Sequence, residues 1–464
     1  MKTMTTHQKA LDINMDSSRY GSFAEIGAGQ EVGRWFFRVG GAAGTIAKTI
    51  SAYDKSVSDA IYGTAQRYVS SGRLLAMLDM EYDLNITRLD RERGAETAFF
   101  AFADTVSAQN YQGTADCHGW MGIRFQAHPR AKTSQILLHA RMVDRDPLMQ
   151  HEALGILGVN LVYGASRLSE QSEIFLASLL DNLGKHRIEI DMVEFSGDAF
   201  EQVDHRLISL FLVEFGLCNA AMFSADGEVL RPSEVLYKRP VILQRGRFRP
   251  PTKIHADIQR QALKTFSADP QVDSARIVSL LEISLSELQE TAADTAKDFL
   301  DRISALTAGS QSVLVSDCPA YYLVVDYLAR FGAKEIAIPI GIADFSDLIR
   351  EDRYEDLNGG FLEAAGRLFG KGVRLYVYPG LDPETRRRMD LESLAVPGPT
   401  SRIVDYLVER ELVRPLDGLP DAELRIRSDD VLAMLQRGDS EWESHVEPEI
   451  VAAIKSRHLF GYKA

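Results

Sequence analysis

Apolar residues recur along this chain with two periods, and the switches between them predict its elements. From Arg73 onward, Leu74, Leu75, Leu78, Tyr82, Ile86 and Leu89 fall three or four apart, which is one face of a long amphipathic helix. The runs "TAFFAFADTV", "WMGIRFQ" and "QILLHARMVD" are apolar or alternating and read as strands, and their short polar connections favour antiparallel pairing. The stretches "DPLMQHEALGILGVNLVYGA" and "SEQSEIFLASLLDNLG" return to the helical period, the first opened by Asp146 as cap and Pro147 in the first turn. A strand at "RIEIDMVEF", a helix over 200–215 and a strand at "CNAAMFS" complete an α+β domain over residues 71–235.

Beyond "RPSEVLYKRP", a connection with proline at both ends, the rhythm changes. Strands "VILQRG", "SVLVSD", "EIAIPIG" and "VRLYVYPG" are separated by helices "IHADIQRQALKTF", "AYYLVVDYLARFG" and "GFLEAAGRLFG", with a long helical stretch predicted over 276–307. Strands separated by helices imply right-handed crossovers onto a parallel sheet. The fold class is therefore α/β, with a Rossmann-like, doubly wound domain over residues 236–464.

Residues 1–70 form a third, glycine-rich segment, in which Gly27, Gly29, Gly33, Gly40, Gly41, Gly44 and Gly63 crowd among aromatic and charged residues. The spacing GxGxxxG, with no apolar strand ahead of it, fails the context of a dinucleotide-binding fingerprint. A helix start packed closely on another segment is the expected reading, with Glu25, Gln30, Glu31 and Arg34 facing a ligand or a partner subunit. A homo-oligomer assembled through this segment would follow.

Composition narrows the partners. The 464 residues exceed one ordinary core. A net charge of -14 argues against broad nucleic-acid binding, which needs a basic face. "LISLFLVEFGLCNAAMF" is interrupted by Glu214 and is shorter than the roughly 20 apolar residues of a membrane helix, so no membrane partner is expected. Cys117, Cys218 and Cys318 are far apart and give no zinc framework. The first residues lack the apolar segment of a secretory signal, so the expected location is cytoplasmic.

Two stretches carry candidate chemistry. "VILQRGRFRPPTKIHADIQ" places Arg245, Arg247, Arg249, Lys253 and His255 where a strand ends and a helix begins, the usual place for an anion in an α/β sheet. A bland basic turn is the competing reading. "FADTVSAQNYQGTADCHGWMGIRFQ" offers an alternative site at Asp104, Cys117 and His118, with Asp116 and Trp120 beside them. Cys117 and His118 are chain neighbours, and nucleophile and base usually meet from separate elements. His139, on an alternating strand, reads as a core or edge histidine. No metal-ligating set is found.

Gly246, Arg247, Phe248, Arg249, Pro250, Pro251, Thr252, Lys253, Ile254 and His255 resemble the GRFxPxHxGH-type loop that follows the first strand in the nucleotidyltransferase superfamily, which includes nicotinate- and nicotinamide-mononucleotide adenylyltransferases. Thr252 stands at the first histidine of that motif and Ile254 at its glycine. Thr400, Ser401 and Arg402 loosely resemble its second, hydroxyl-rich element. The whole chain is also similar to a bacterial group of like length that shares the "FAEIGAGQEV" and "SAYDKSVSDAIYG" segments and carries the adenylyltransferase label. The resemblance implies transfer of an adenylyl group from ATP, with Mg²⁺ on its phosphates, to a nicotinate-type mononucleotide, as in NAD biosynthesis. His255 and Thr252 would be catalytic, and Gly246, Arg247, Arg249, Lys253, Thr400, Ser401 and Arg402 would bind substrate. A non-catalytic nucleotide-binding or assembly protein is the alternative.

Overall fold

The structure is a computed structural model that describes residues 3–27, 29–108, 117–291, 294–370, 372–382, 385–425 and 427–463. The chain forms two compact units, Met1–Cys218 and Asn219–Ala464.

The first unit contains α1 (Thr6–Asn14), β1 (Arg19–Gly27), α2 (Val32–Val39), β2 (Ile46–Ser51), α3 (Lys55–Tyr62), α4 (Ser71–Arg93), β3 (Ala98–Ser107), β4 (His118–Gln126), β5 (Thr133–Met142), α5 (Pro147–Arg167), α6 (Ser172–Ser178), β6 (Ile188–Gly197) and α7 (His205–Glu214). Its sheet has the order β2-β1-β3-β4-β5-β6. β1 runs parallel to β2 and β3, and the remaining pairs are antiparallel. Helix α4 covers one face, packing Leu74, Met77 and Leu78 on Ala24, Ala103, Trp120 and Leu137. On the opposite face Phe23 meets Phe36 of α2, their ring centroids 4.9 Å apart.

Strand β1 precedes the glycine motif where no strand was expected. Its sequence, "RYGSFAEIG", shows no apolar run, because both faces are close-packed and small residues are needed there. A Cβ on Gly21 would stand 2.4 Å from the Phe100 carbonyl oxygen. The expected close helix packing is present as well: a Cβ on Gly158 of α5 would lie 2.3 Å from Val32 Cγ2 at the start of α2. Residues 1–70 thus supply two strands of the first sheet and do not stand apart from it.

The second unit contains β7 (Ala220–Phe223), β8 (Val229–Leu230), α8 (Pro232–Val235), β9 (Val241–Arg245), α9 (Lys253–Ser267), β10 (Val278–Ser284), α10 (Leu285–Thr291), α11 (Thr295–Ala308), β11 (Ser312–Ser316), α12 (Tyr321–Arg330), β12 (Ile336–Gly341), α13 (Ile342–Leu348), α14 (Gly360–Phe369), β13 (Val373–Tyr378), the short pair β14 (Gly380–Leu381) and β15 (Arg388–Met389), α15 (Thr400–Glu409), β16 (Val413–Pro415), α16 (Ser428–Arg437) and α17 (Pro448–Arg457). The large sheet has the order β16-β13-β12-β9-β10-β11-β7-β8. The six strands from β16 to β11 are parallel. Helices α12 to α15 pack on one face through Val324, Phe345, Leu368 and Val404, and α9 packs on the other through Ala262 and Phe266. This is a doubly wound α/β sheet.

Two expectations change here. The strand in "CNAAMFS" belongs to this second sheet, where it pairs antiparallel with β11, and not to the first unit. The stretch 276–307 is not one helix: it begins with β10, buried beside β9, before α10 and α11. "IVSLLEIS" is a short apolar run whose periodicity does not separate a buried strand from a buried helix. Among the described residues no helix is long and apolar enough to cross a membrane.

Candidate functional site

The chain lays down β9, β10 and β11 outward in one direction, then returns to place β12, β13 and β16 on the other side of β9. The reversal falls between β9 and β12, and in open parallel sheets the loops diverge at the carboxyl ends of such a pair and leave a crevice. A crevice of about 640 Å³ lies there, lined by Arg245, Gly246 and Arg247 from β9 and its turn, Pro339 and Gly341 from the end of β12, and His255 from α9.

Arg245 is the architectural cation of this crevice. Its Nε and Nη2 donate to the two oxygens of Glu282 at 3.0 and 2.8 Å, and Nη2 and Nη1 donate to the carbonyls of Cys318 and Pro319 at 2.7 and 3.1 Å. Ser316 Oγ donates a further bond of 2.6 Å to Glu282, whose side chain is fully buried. The guanidinium is thereby committed to joining the carboxyl ends of β9, β10 and β11. Neither Glu282 nor Ser316 carried a sequence signal, since each lies on a strand read as plain core or as part of a helix.

The turn itself is held from beneath. Phe248 adopts a left-handed backbone with φ 49°, and its buried ring lies 4.9 Å from the His255 ring. Arg249 Nε donates to Asp298 at 2.6 Å, and the fully buried Arg302 pairs with the same carboxylate while donating to the Arg247 carbonyl at 2.8 Å. Arg249 therefore faces the α11 side and does not line the crevice. Arg247 does, with half of its side chain exposed and only a distant approach of 3.9 Å to Asp429.

His255 occupies the first turn of α9. The Thr252 backbone N–H donates to its Nδ1 at 3.0 Å, so Nδ1 carries no proton and the neutral ring keeps its hydrogen on Nε2. Burial pushes the imidazole down to about 4. At neutral pH the residue is thus an uncharged donor. Ile254, where the resembling motif has glycine, packs away from the crevice against the Tyr376 and Tyr378 cluster. Lys253 does not line the crevice, and Thr252 borders a separate groove on the far side of His255.

Thr400, Ser401 and Arg402 are not brought to this place. Thr400 donates to Glu351 and Ser401 to the Gly398 carbonyl, and none of the three lines the crevice. The start of α16 does, through Ser428 and Asp429. The readable signal was "RSDDVLAML", a hydroxyl and two acids ahead of an apolar run, which is a helix N-terminus signature. Burial raises the Asp344 and Glu287 carboxyls, which also line the crevice.

The alternative site is divided by the sheet. Thr105 lies opposite Trp120 on the α4 face, so Asp104 points to the other face, beside Glu25 and under the start of α2. His118, two residues before Trp120, stays on the α4 face. Asp104 and His118 therefore do not share a site; Asp116 lies outside the described residues. Burial pushes the Cys318 thiol up to about 12.

No family model matches the chain. The search of curated proteins gives no significant match. Among solved structures it is similar to the nicotinic acid mononucleotide adenylyltransferase of Plasmodium falciparum, at 11% identity over 48% of this chain and 98% of that one, with a TM-score of 0.29. It is also similar to competence damage-inducible protein A of Klebsiella pneumoniae, at 12% identity over 35% and 94% with a TM-score of 0.25. A competence or damage-inducible protein of Enterobacter asburiae gives 14% identity over 34% and 95%, with a TM-score of 0.24.

Proposed function

We propose that the second unit binds a nucleotide in the crevice between β9 and β12 and transfers an adenylyl group from ATP to a mononucleotide phosphate. The observation that carries this reading is His255: a neutral ring at a helix N-terminus, fixed through Nδ1 and lining a crevice at the reversal of a doubly wound sheet. The resemblance of residues 246–255 to the nucleotidyltransferase loop supports the same chemistry. In the reaction a phosphate oxygen of the mononucleotide bonds to the α-phosphorus of ATP as the bond to pyrophosphate breaks. His255 Nε2–H and the Arg247 guanidinium would donate to phosphate oxygens whose charge grows in that step. Arg245 and Glu282 would hold the surrounding loops.

Mg²⁺ would arrive on the ATP phosphates. Phosphate oxygens and water would be its chief ligands, as is usual for this cation in phosphate-transfer sites. The assembly alternative rested on the glycine-rich segment, and the packing of Gly21, Gly29 and Gly33 against Phe100, Asp104 and Thr49 gives those glycines an intramolecular use.

Calorimetric titration of the full chain with ATP and Mg²⁺, repeated with His255→Ala, tests the reading. Binding that weakens at least tenfold in a variant of native circular dichroism, together with pyrophosphate release by the intact protein, supports it. Absence of binding by the intact protein overturns it.

A further inference from the structure

The groove on the far side of His255 is not used by the nucleotide reading. It has a volume of about 830 Å³, and among the residues that line it only His255 also lines the crevice. Ser279 and Leu281 of β10 form its floor; they stand two apart on a strand and so share one sheet face. Gln259 Nε2 of α9 donates to Ser279 Oγ, which makes that face the one α9 covers. The walls come from Leu263 of α9, Leu306 of α11 and Ile450 of α17. Leu263 is left 42% exposed, and Ile277, just ahead of β10, is partly open.

One charge on this apolar lining stands out. Arg260 pairs with Asp257 at 2.9 Å and approaches Glu447 at 3.8 Å, so those charges answer one another, and Glu449 is exposed to water. Arg239 is half-buried, and among the described residues no carboxylate pairs with it. Its Nε donates to the Arg276 carbonyl at 3.0 Å, which fixes the guanidinium beside the start of β10 and leaves its two Nη groups for the two oxygens of a carboxylate. From Arg276 to Leu281 the chain advances roughly 16 Å, close to the length of an extended twelve-carbon chain. A half-hydrated cation at one end of an apolar floor is the complement of a molecule with an anionic head and an apolar tail.

We propose that this groove is a second binding site, for an amphipathic carboxylate of the fatty-acid kind. The head group meets the Arg239 guanidinium, and the chain lies along β10 over Leu281 and against Leu263. The site is independent of nucleotide binding in the crevice.

Titration calorimetry of the full chain with sodium dodecanoate, kept below its micelle concentration, tests the proposal. One dodecanoate should bind per chain. Dodecyltrimethylammonium, with the same tail and the opposite charge, should bind weaker by about tenfold or more. Arg239→Gln should weaken dodecanoate by a similar factor. Leu263→Glu, which sets a carboxylate on the apolar wall at an exposed position, should weaken it as well. No binding by the intact protein overturns the proposal, as do equal affinities for the two surfactants or an affinity that either substitution leaves unchanged. Should a variant fail to fold, the intact protein is crosslinked with a diazirine-tagged dodecanoate and mapped by mass spectrometry. Labels on the segments around Leu263 and Leu281 support the assignment, and labels confined to other segments overturn it.

Discussion

Gly29 stands against Asp104 so closely that a Cβ at residue 29 would lie 2.0 Å from Asp104 Oδ1 and 2.4 Å from its Cγ. Asp104 is fully buried, and its register partner across β1 and β3 is the buried Glu25. The missing side chain at residue 29 is what lets the loop after β1 close over these two acids before α2 begins.

Gly29→Ala should therefore cost the first unit about 1 to 3 kcal/mol, since it forces a carboxyl and a backbone apart in a packed site. Asp104→Ala in the same background should return most of that loss. Urea unfolding of the two single variants and the double variant measures the coupling. Additive effects would show that Asp104 does not set the constraint on residue 29.

The two acids also predict a pH dependence. Burial pushes the Glu25 carboxyl up to about 7 and, together with Glu25, holds Asp104 well above the usual carboxylate range. The folded unit thus holds protons that the unfolded chain releases near 4.5. The contribution to stability is full below that value and is lost as pH rises through 7, by on the order of 3 kcal/mol for Glu25. Melting temperatures of the first unit should fall over this range, and Asp104→Asn, which cannot ionise, should flatten the fall. A wild-type profile that rises from pH 4.5 to 7 would contradict the assignment.

The second unit should respond in the opposite direction. His255 is held down at about 4 by burial, against 6.5 in an unfolded chain, so the unfolded state binds the extra proton first as pH falls. Stability is kept above 6.5 and lost between 6.5 and 4, by on the order of 3 kcal/mol. Replacing His255 with Asn removes the titrating group and should flatten the acid limb. Differential scanning calorimetry of intact and variant protein from pH 7 to 4 reads the effect, and an unchanged acid limb would show that His255 is not the group responsible.

The second sheet was legible where one period dominates, in strands β9, β11, β12 and β13 and helices α9, α12 and α14. The basic turn after β9 was legible for the same reason: Gly246, Arg247 and His255 sit where strand and helix meet. What the sequence concealed was of two kinds. β1 and β10 are buried on both faces, so Gly21, Ser22, Ala24 and Ser284 replaced the alternation that marks a strand. The other kind was partnership across the fold. Arg245 with Glu282, Arg249 with Asp298 and His118 with His139 are separated by 37, 49 and 21 positions, and no local pattern joins them. Arg249 looked like a phosphate ligand by spacing alone and is an anchor by geometry.

Glu282 offers the sharpest test of that distinction between ligand and anchor. It is fully buried, accepts two bonds from Arg245 and one from Ser316, and touches the crevice only through Arg245. Glu282→Ala leaves a guanidinium, itself only 10% exposed, without its counter-charge. The expected cost is about 3 to 5 kcal/mol for the second unit, because removing one partner strands the other. Arg245→Met should cost a similar amount, and the double variant should cost less than the sum, since it removes both charges together. Guanidinium unfolding of the three variants gives the cycle. Coupling near zero would mean that Arg245 is held by the Cys318 and Pro319 carbonyls alone, and the carboxyl ends of β9 and β10 would then be joined without Glu282.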